Sequence, residues 1–359
     1  MDLAIVGLPL SGKTTVFAAL TAGHGAGGAA RSEHLGVVKM PDERLQQVAA
    51  LVGSKKVTPL EIVLHDLPPL FERGAAPSGE AAESLARADA LVHVVRAFQR
   101  EDVPHVAGTV DPLRDIASFE AELLLNDLGI IERRLEKLDI IVRSARPGER
   151  EAGAREADLL GRIRAHLEAN RPLRDVVTDE ADLKALAPYG LLSLKPLLIL
   201  LNIDESDAGR SPEIEAESRQ RYGAGHARAV ALCAKLEAEL AELSPEEAAE
   251  FRRELGVPEG AVGRVLQEMQ QVLGVVTFFT AGDKEARAWA VRAGASVLEA
   301  AGRVHTDMER GFIRAEVISW ERLVELGSYA EARRHGQLRT EGRAYIVQEG
   351  DVLHILFNV

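Results

Sequence analysis

The stretch Gly7-Leu8-Pro9-Leu10-Ser11-Gly12-Lys13-Thr14-Thr15 carries the spacing G-x-x-x-x-G-K-[ST], and the residues on either side decide what that spacing means. Residues 3–6 read as a buried strand and 14–20 open a helix, the strand–loop–helix context in which such a loop cradles phosphate. Glycine lets the backbone curl until its N–H groups point inward at an anion, and the helix N-terminus adds the positive end of its dipole. In that arrangement Lys13 reaches the β- and γ-phosphates of a nucleoside triphosphate, and the Thr14 hydroxyl ligates Mg2+. An ordinary glycine turn is the competing reading; the flanking pattern weighs against it.

Outward from this loop, short apolar runs at 3–6, 35–38, 60–64, 90–95, 197–201 and 227–232 alternate with helical patterns. Strands spaced by helices predict an α/β fold with a doubly wound, mainly parallel sheet and ligand at the strand C-termini, where the phosphate loop falls. The interval between the fourth and fifth runs is too long for a simple crossover. Within it Leu124, Leu128, Ile131, Leu135, Leu138 and Val142 follow at 4-3-4-3-4 spacing, the stripe of a long helix packed against another. Arg146-Pro147-Gly148 breaks the stripe, and Leu160, Ile163 and Leu167 begin a second one. Residues 114–188 are therefore expected to form an inserted antiparallel helical hairpin. Helix–helix packing accounts for its apolar stripe, and its charged faces read as solvated surface. From about residue 275 strands are expected at 275–279, 312–318, 344–348 and 353–359, with a helix at 320–326. The Gly/Ala-rich residues 23–30 read as a loop.

The formal charge of −13 disfavours nonspecific attraction to DNA or RNA, so any RNA contact has to come from a local basic face. Cys233 is the only cysteine, which excludes an internal disulfide and fits a reducing compartment. No stretch reaches the ~18 apolar residues of a membrane span, and a strand beginning at residue 3 leaves no room for a secretory signal; a cytoplasmic protein is expected.

Several long motifs in order give the chain a resemblance to a known family. They are GLPxxGK at the N-terminus, LGVVKMPDERL at 35–45, DALVHVVRAF at 89–98, VDPLRDI at 110–116 and CAKLEAEL at 233–240. The densest part is FFTAGDKEARAW at 278–289, AAGRVHTDMERGFIRAEVISW at 300–320 and EGDVLHILFNV at 349–359. The chain resembles the YchF family, the Obg-related P-loop NTPases with a C-terminal TGS module. The resemblance implies a nucleotide domain over 1–113 and 189–274, a coiled-coil insertion over 114–188 and a β-grasp, TGS-like domain over 275–359. It also implies ATP or GTP hydrolysis with Mg2+ and association with ribosomes, through the large subunit or the 70S particle.

The nucleotide site is then expected at Gly7, Pro9, Ser11, Gly12, Lys13, Thr14 and Thr15 for the phosphates, with Lys13 and Asp66 catalytic and Thr14 and Asp66 holding the metal, Asp66 through water. Asp66 could equally be an ordinary strand-end turn residue, and His65 beside it reads as a partly exposed filler. For the base, Asn202-Ile203-Asp204-Glu205 follows the fifth strand where related GTPases carry N-K-x-D, whose Asp accepts two hydrogen bonds from guanine. Glu205 adds a methylene that misplaces a bidentate acceptor, and Ile203 replaces the Lys. ATP is therefore expected over GTP, with Asn202 on the purine and Cys233-Ala234-Lys235 against the base. The alternative gives Asn202 and Glu205 only a strand-end turn and helix start.

Three departures from the family pattern touch catalysis. The sequence Asp66-Leu67-Pro68-Pro69-Leu70 stands where the family reads much like D-I-A-G-L, so Pro69 replaces a glycine whose N–H would meet the γ-phosphate. Losing one such donor typically costs about 3 kcal/mol in the transition state. Leu70 is apolar where other GTPases keep a water-orienting Gln. Leu10 replaces an Asn that helps hold a monovalent cation, and Ala30 aligns with the switch threonine, leaving Ser32 as a substitute. These changes point to a protein that holds nucleotide and hydrolyses it slowly.

Arg287, Trp289, Arg292, Arg303, His305, Arg310 and Arg314 interleave basic and aromatic groups over the C-terminal module, a surface for local rRNA or ribosomal-protein contact. Core roles for Trp289 and Phe312 are the alternative. The leading functional expectation is a ribosome-associated translation or stress factor; the alternative is a nucleotide-binding scaffold with little hydrolysis. A small-molecule kinase is set aside, because no second substrate site is evident.

Overall fold

The computed structural model describes residues 1–22, 34–70, 77, 79–144, 146–222, 227–255 and 260–358. It forms two compact units, Met1–Val37 with Val63–Val272, and Val38–Ile62 with Leu273–Val359. The chain opens with β1 (Asp2–Val6), α1 (Lys13–Leu20), β2 (His34–Met40), α2 (Glu43–Val52), β3 (Val57–Thr58), β4 (Leu60–Asp66), α3 (Gly79–Arg87) and β5 (Ala90–Arg96). The long helices α4 (Pro112–Ser144) and α5 (Pro147–Glu168) follow, then α6 (Glu180–Leu186), β6 (Leu197–Asn202), α7 (Ser211–Tyr222), β7 (Ala227–Leu232), α8 (Ala234–Leu240), α9 (Pro245–Leu255) and α10 (Ala261–Val272).

The first sheet has the order β2-β4-β1-β5-β6-β7. Strands β4, β1, β5, β6 and β7 all run parallel, with Leu3 beside Leu64 and Ala90, and Leu91 beside Leu197. Strands such as Leu197–Asn202, apolar up to its last residue, are buried end to end, as strands packed on both faces must be. All six strands read from the sequence are present. Because β1 lies between β4 and β5, the loop after it leaves the sheet at the carboxyl edge where the chain turns to either side, the usual ligand position in such sheets.

The hairpin packs Leu124, Ile131 and Leu138 of α4 against Leu159, Leu160, Ile163 and Leu167 of α5. Arg146 is the N-cap of α5 and Pro147 opens it, a position where the missing N–H costs nothing. Arg134 and Glu156 bridge the two helices by paired bonds of 2.6 and 2.9 Å. At the other end of the crossing, Asp127 of α4 accepts from Leu192 N (2.9 Å), Ser193 N (2.7 Å) and Ser193 Oγ (2.6 Å), so the helix is pinned beside the start of β6.

The second unit continues with β8 (Val275–Ala281), β9 (Ala286–Arg292), α11 (Val297–Val304), α12 (Thr306–Arg310), β10 (Phe312–Ser319), α13 (Trp320–Leu326), α14 (Tyr329–Arg334), β11 (Arg339–Glu341) and β12 (Asp351–Phe357). Its sheet order is β11-β10-β12-β8-β9-β3, with β12 parallel to β8 and the pairs β8–β9 and β10–β12 antiparallel, a β-grasp arrangement. Phe278 and Phe279 point to opposite faces, as strand neighbours do, and both are fully buried. One packs with Val297, Ala300 and Ala301 of α11; the other packs with Leu45, Val48 and Ala49 of α2.

This second packing corrects the domain division read from the sequence. Residues 38–62 were expected in the nucleotide domain and instead cluster with the C-terminal unit. The physical reason is that α2 has an apolar face that covers Phe279, Ala286 and Ala288, while β3 pairs with β9 through Val57–Ala286 and Thr58–Arg287. The expected strand at 344–348 is a second correction: these residues form turns with a single bridge, Ile346 to Ser296. The apolar side chains there are spent on the core, where Val347 is buried and Tyr345 packs alongside. Strands β3, β9 and β11 escaped the sequence reading; β9 does so because alanines alternate with Arg287 and Trp289 in place of a continuous apolar run.

Candidate functional site

The loop after β1 has an unusual backbone: φ is +147° at Gly7, +63° at Leu10 and +91° at Gly12. A Cβ at Gly7 would fall 2.4 Å from Val94 O, and one at Gly12 would fall 2.2 Å from Asn202 Nδ2, so close approach as well as φ requires glycine at both positions. Leu10 has no such exemption and takes the left-handed conformation while 53% exposed. Gly12 is the N-cap of α1 and has no side chain to satisfy the first helical N–H groups.

Lys13 begins α1 and turns back across the loop, donating from Nζ to Gly7 O (3.1 Å) and Leu8 O (3.2 Å). Burial pulls its pKa below the usual lysine value, and the Asp66 carboxylate pushes it back up. Thr14 Oγ1 donates to Asp66 Oδ2 at 2.9 Å, joining the first turn of α1 to the end of β4. His34 Nδ1 lies 3.4 Å from the same carboxylate oxygen. Lys13, Thr14 and Asp66 thus converge at one end of the sheet, with Pro9 exposed in the loop, Thr15 exposed in the first turn of α1 and Ser11 buried.

Asn202 ends β6, and its amide is used at both ends: Nδ2 donates to Ser11 O (3.1 Å) and Oδ1 accepts from Ala234 N (3.2 Å). It braces the phosphate-type loop against the start of α8. Cys233, the N-cap of α8, and Ala234 are buried; burial raises the Cys233 thiol pKa, and the nearby Glu205 and Asp204 carboxylates raise it further. Glu205 is exposed at the head of a short 3-10 turn. Lys235 is exposed and paired with Glu239 at 3.7 Å.

Leu67 and Leu70 are both buried in the core of the first unit, so Pro68 and Pro69 are strung between two apolar anchors. His65 is buried, contrary to the partly exposed position expected, with Nε2 3.2 Å from Asp2 Oδ1, and as a strand neighbour it faces away from Asp66. Ala30 and Ser32 lie outside the described residues, as does the loop at 23–30. In the C-terminal unit Phe312 is core, whereas Trp289 is half-buried, donates from Nε1 to Thr280 Oγ1 (2.9 Å) and carries the Arg287 guanidinium 4.3 Å above its ring.

Two neighbours of this site were missed in the sequence. His34 carried no motif, and the 97–105 segment gave no periodic signal, although DALVHVVRAF ends inside it. Among the described residues no cluster of three or more His, Cys, Asp or Glu side chains could hold a metal by itself, and no helix is long and apolar enough to cross a membrane.

A parallel sheet with a glycine-curled loop and lysine at the carboxyl edge of β1, an inserted helical hairpin and a β-grasp unit define a P-loop NTPase. Residues 275–358 match YchF-GTPase_C, described as a protein of unknown function (DUF933). Over its whole length the chain is 36% identical to the whole of the ribosome-binding ATPase YchF of Bacillus subtilis (strain 168). It is 39% identical to the protein of the same name from Haemophilus influenzae, across 99% of this chain and 98% of that one. The solved structure of the Schizosaccharomyces pombe YchF GTPase superposes with a TM-score of 0.83 at 27% identity, covering 99% of this chain and 97% of the other. The chain belongs to the YchF family.

Proposed function

We propose that this protein binds ATP with Mg2+, hydrolyses it slowly and works in association with ribosomes. The observation that carries the reading is the convergence of Lys13 on the Gly7 and Leu8 carbonyls with the Thr14–Asp66 contact at 2.9 Å, at the carboxyl edge of β1. The inward N–H groups of the curled loop and the start of α1 would receive the phosphates, and the Lys13 ammonium would lie across them. The Thr14 hydroxyl and the Asp66 carboxylate are hard oxygen donors of the kind Mg2+ takes alongside water and phosphate oxygens; the ion supplies neutralisation of developing phosphate charge. Asn202, with Cys233, Ala234 and Lys235 across from Glu205, would line the base. The longer Glu205 side chain favours adenine over guanine.

Single-turnover hydrolysis of ATP and GTP, with Lys13→Ala as the blank, tests the enzymatic part. ATP turnover clearly above the blank and above GTP is expected; a GTP rate exceeding ATP refutes the base assignment. A specific observation also favours a scaffold with little hydrolysis: Pro69 has no N–H to offer, and the buried Leu67 and Leu70 keep it where it is. Turnover equal to the Lys13→Ala blank, with ATP still bound, selects that second reading.

The relatives named ribosome-binding ATPase supply the partner. The exposed Arg292 and Arg314 and the Arg287–Trp289 stack supply basic and aromatic surface groups on the C-terminal unit. Co-sedimentation with 70S particles should weaken when Arg287, Arg292 and Arg314 are changed together to Glu. Undiminished binding removes this surface from the contact.

A further inference from the structure

Arg96 ends β5 beside the phosphate-type loop, and its buried guanidinium is met by main-chain carbonyls of one following segment. Its Nε donates to Phe98 O (3.2 Å), Nη1 to Pro104 O (3.3 Å), and Nη2 to Val103 O (2.9 Å) and Arg100 O (3.4 Å). The same group stacks over the Phe98 ring at 4.5 Å. A planar fork with five fixed donors can hold both ends of a loop at once, which a single ammonium nitrogen cannot.

The segment so held touches the phosphate-type loop and the residues that follow β6. A Cβ on Gly12 would stand 3.8 Å from Phe98 Cε1, so the ring lies against the phosphate-type loop. Ala97 N donates to Asn202 O (2.9 Å), and Gln99 N donates to Asp204 Oδ2 (2.9 Å), fastening the segment to the residues that follow β6. At its far end His105 Nε2 lies 2.8 Å from Asp115 Oδ2 at the root of α4.

We infer that Arg96 is a positioning residue for the nucleotide site: by gripping the carbonyls of Phe98, Arg100, Val103 and Pro104 it turns residues 97–105 into a bracket that holds the phosphate loop in register with the 202–205 segment. This rests on the nucleotide-binding reading above. Arg96 faces none of Lys13, Thr14 or Asp66 in its hydrogen bonds, so it acts on how well the site is formed before nucleotide arrives, and its loss appears in affinity and KM while kcat is kept.

The test compares ATP dissociation constants, KM and kcat for the parent chain, Arg96→Lys, Asp204→Ala and the double variant. Arg96→Lys keeps the charge and loses the fork; it should weaken ATP binding about tenfold with kcat within about twofold. Asp204→Ala cuts the same bracket at the Gln99 N–H and should weaken binding in the same direction. Because both changes open one element, the double variant should bind no worse than the weaker single one, whereas independent sites multiply. Unchanged affinity in Arg96→Lys, a fall in kcat with KM kept, or multiplying effects overturns the inference. If Arg96→Lys does not fold, Asp204→Ala decides it, and unchanged affinity there overturns the bracket. A parent chain that fails to bind ATP removes the nucleotide reading and this inference together, whereas a parent that binds and an Arg96→Lys that binds equally removes this inference alone.

Discussion

At the scale of single residues, function is set by what a side chain or backbone group can no longer do. Pro69 cannot donate a hydrogen bond, and its neighbours Leu67 and Leu70 are too well buried to let the segment shift and offer another N–H. Pro69→Gly should raise single-turnover hydrolysis by up to about a hundredfold, the worth of one preorganised donor. A rate equal to or below that of the parent counts against this account. His93 presents the opposite case, a polar group with nothing to do. It is fully buried in β5, stacked on Phe119 of α4 with ring centroids 4.0 Å apart, and neither ring nitrogen has a hydrogen-bond partner. Burial, aided by the Lys13 and Arg174 charges, holds its pKa down at about 3. Between that value and the ordinary ~6.5 the unfolded chain takes up a proton that the folded chain refuses, so stability falls as pH drops through the window and is unaffected above it. His93→Phe keeps the stack and removes both orphan nitrogens. Denaturant melts should find it at least as stable as the parent at pH 7 and ahead by about 2 to 3 kcal/mol more at pH 4.5; an identical pH profile would sink the assignment.

At the scale of elements, α4 ties the sheet to the hairpin. Near its start Asp115 receives His105 and Phe119 packs on β5, and at its middle Asp127 accepts three hydrogen bonds beside the start of β6. Removing the Asp127 carboxylate leaves two buried N–H groups unpaired. Asp127→Ala should cost about 2 to 4 kcal/mol in urea unfolding, whereas a loss below about 0.5 kcal/mol would mean that water replaces the carboxylate there. Gly161 in α5 is the converse: a Cβ there meets nothing within 4 Å, and φ is not positive. Gly161→Ala should therefore stabilise the hairpin by about 1 kcal/mol through helix propensity alone, read as a raised melting temperature. The stripe at 4-3-4-3-4 spacing made α4 legible and Leu160, Ile163 and Leu167 made α5 so, and the Arg146-Pro147-Gly148 break matches their junction. Alternating small and charged residues hid β9, and a two-residue β3 offered too little to read.

At the scale of the whole molecule, the segment 38–62 decides how the chain can be cut. Its α2 buries Leu45, Val48 and Ala49 in the β-grasp unit, so a fragment ending at residue 274 keeps that apolar face and discards what covers it. Such a fragment should bind a hydrophobic dye and aggregate at concentrations where the full chain stays monodisperse; a soluble, dye-silent fragment would refute the packing. Ribosome binding is accordingly better probed by surface charge reversal than by deletion. The sequence by itself determined the phosphate-type loop, the six strands of the first sheet and the paired long helices, because each is written in local chemistry: glycine where φ or close approach demands it, apolar runs where both faces are buried, a heptad-like stripe where helices meet. Only the tertiary structure decided that α2 and β3 serve the second unit, that Asn202 spends its amide bracing Ser11 and Ala234, and that Arg96 grips the 97–105 loop. Those facts depend on which surfaces far apart in the chain find each other, and spacing along one strand or helix carries no record of its partner.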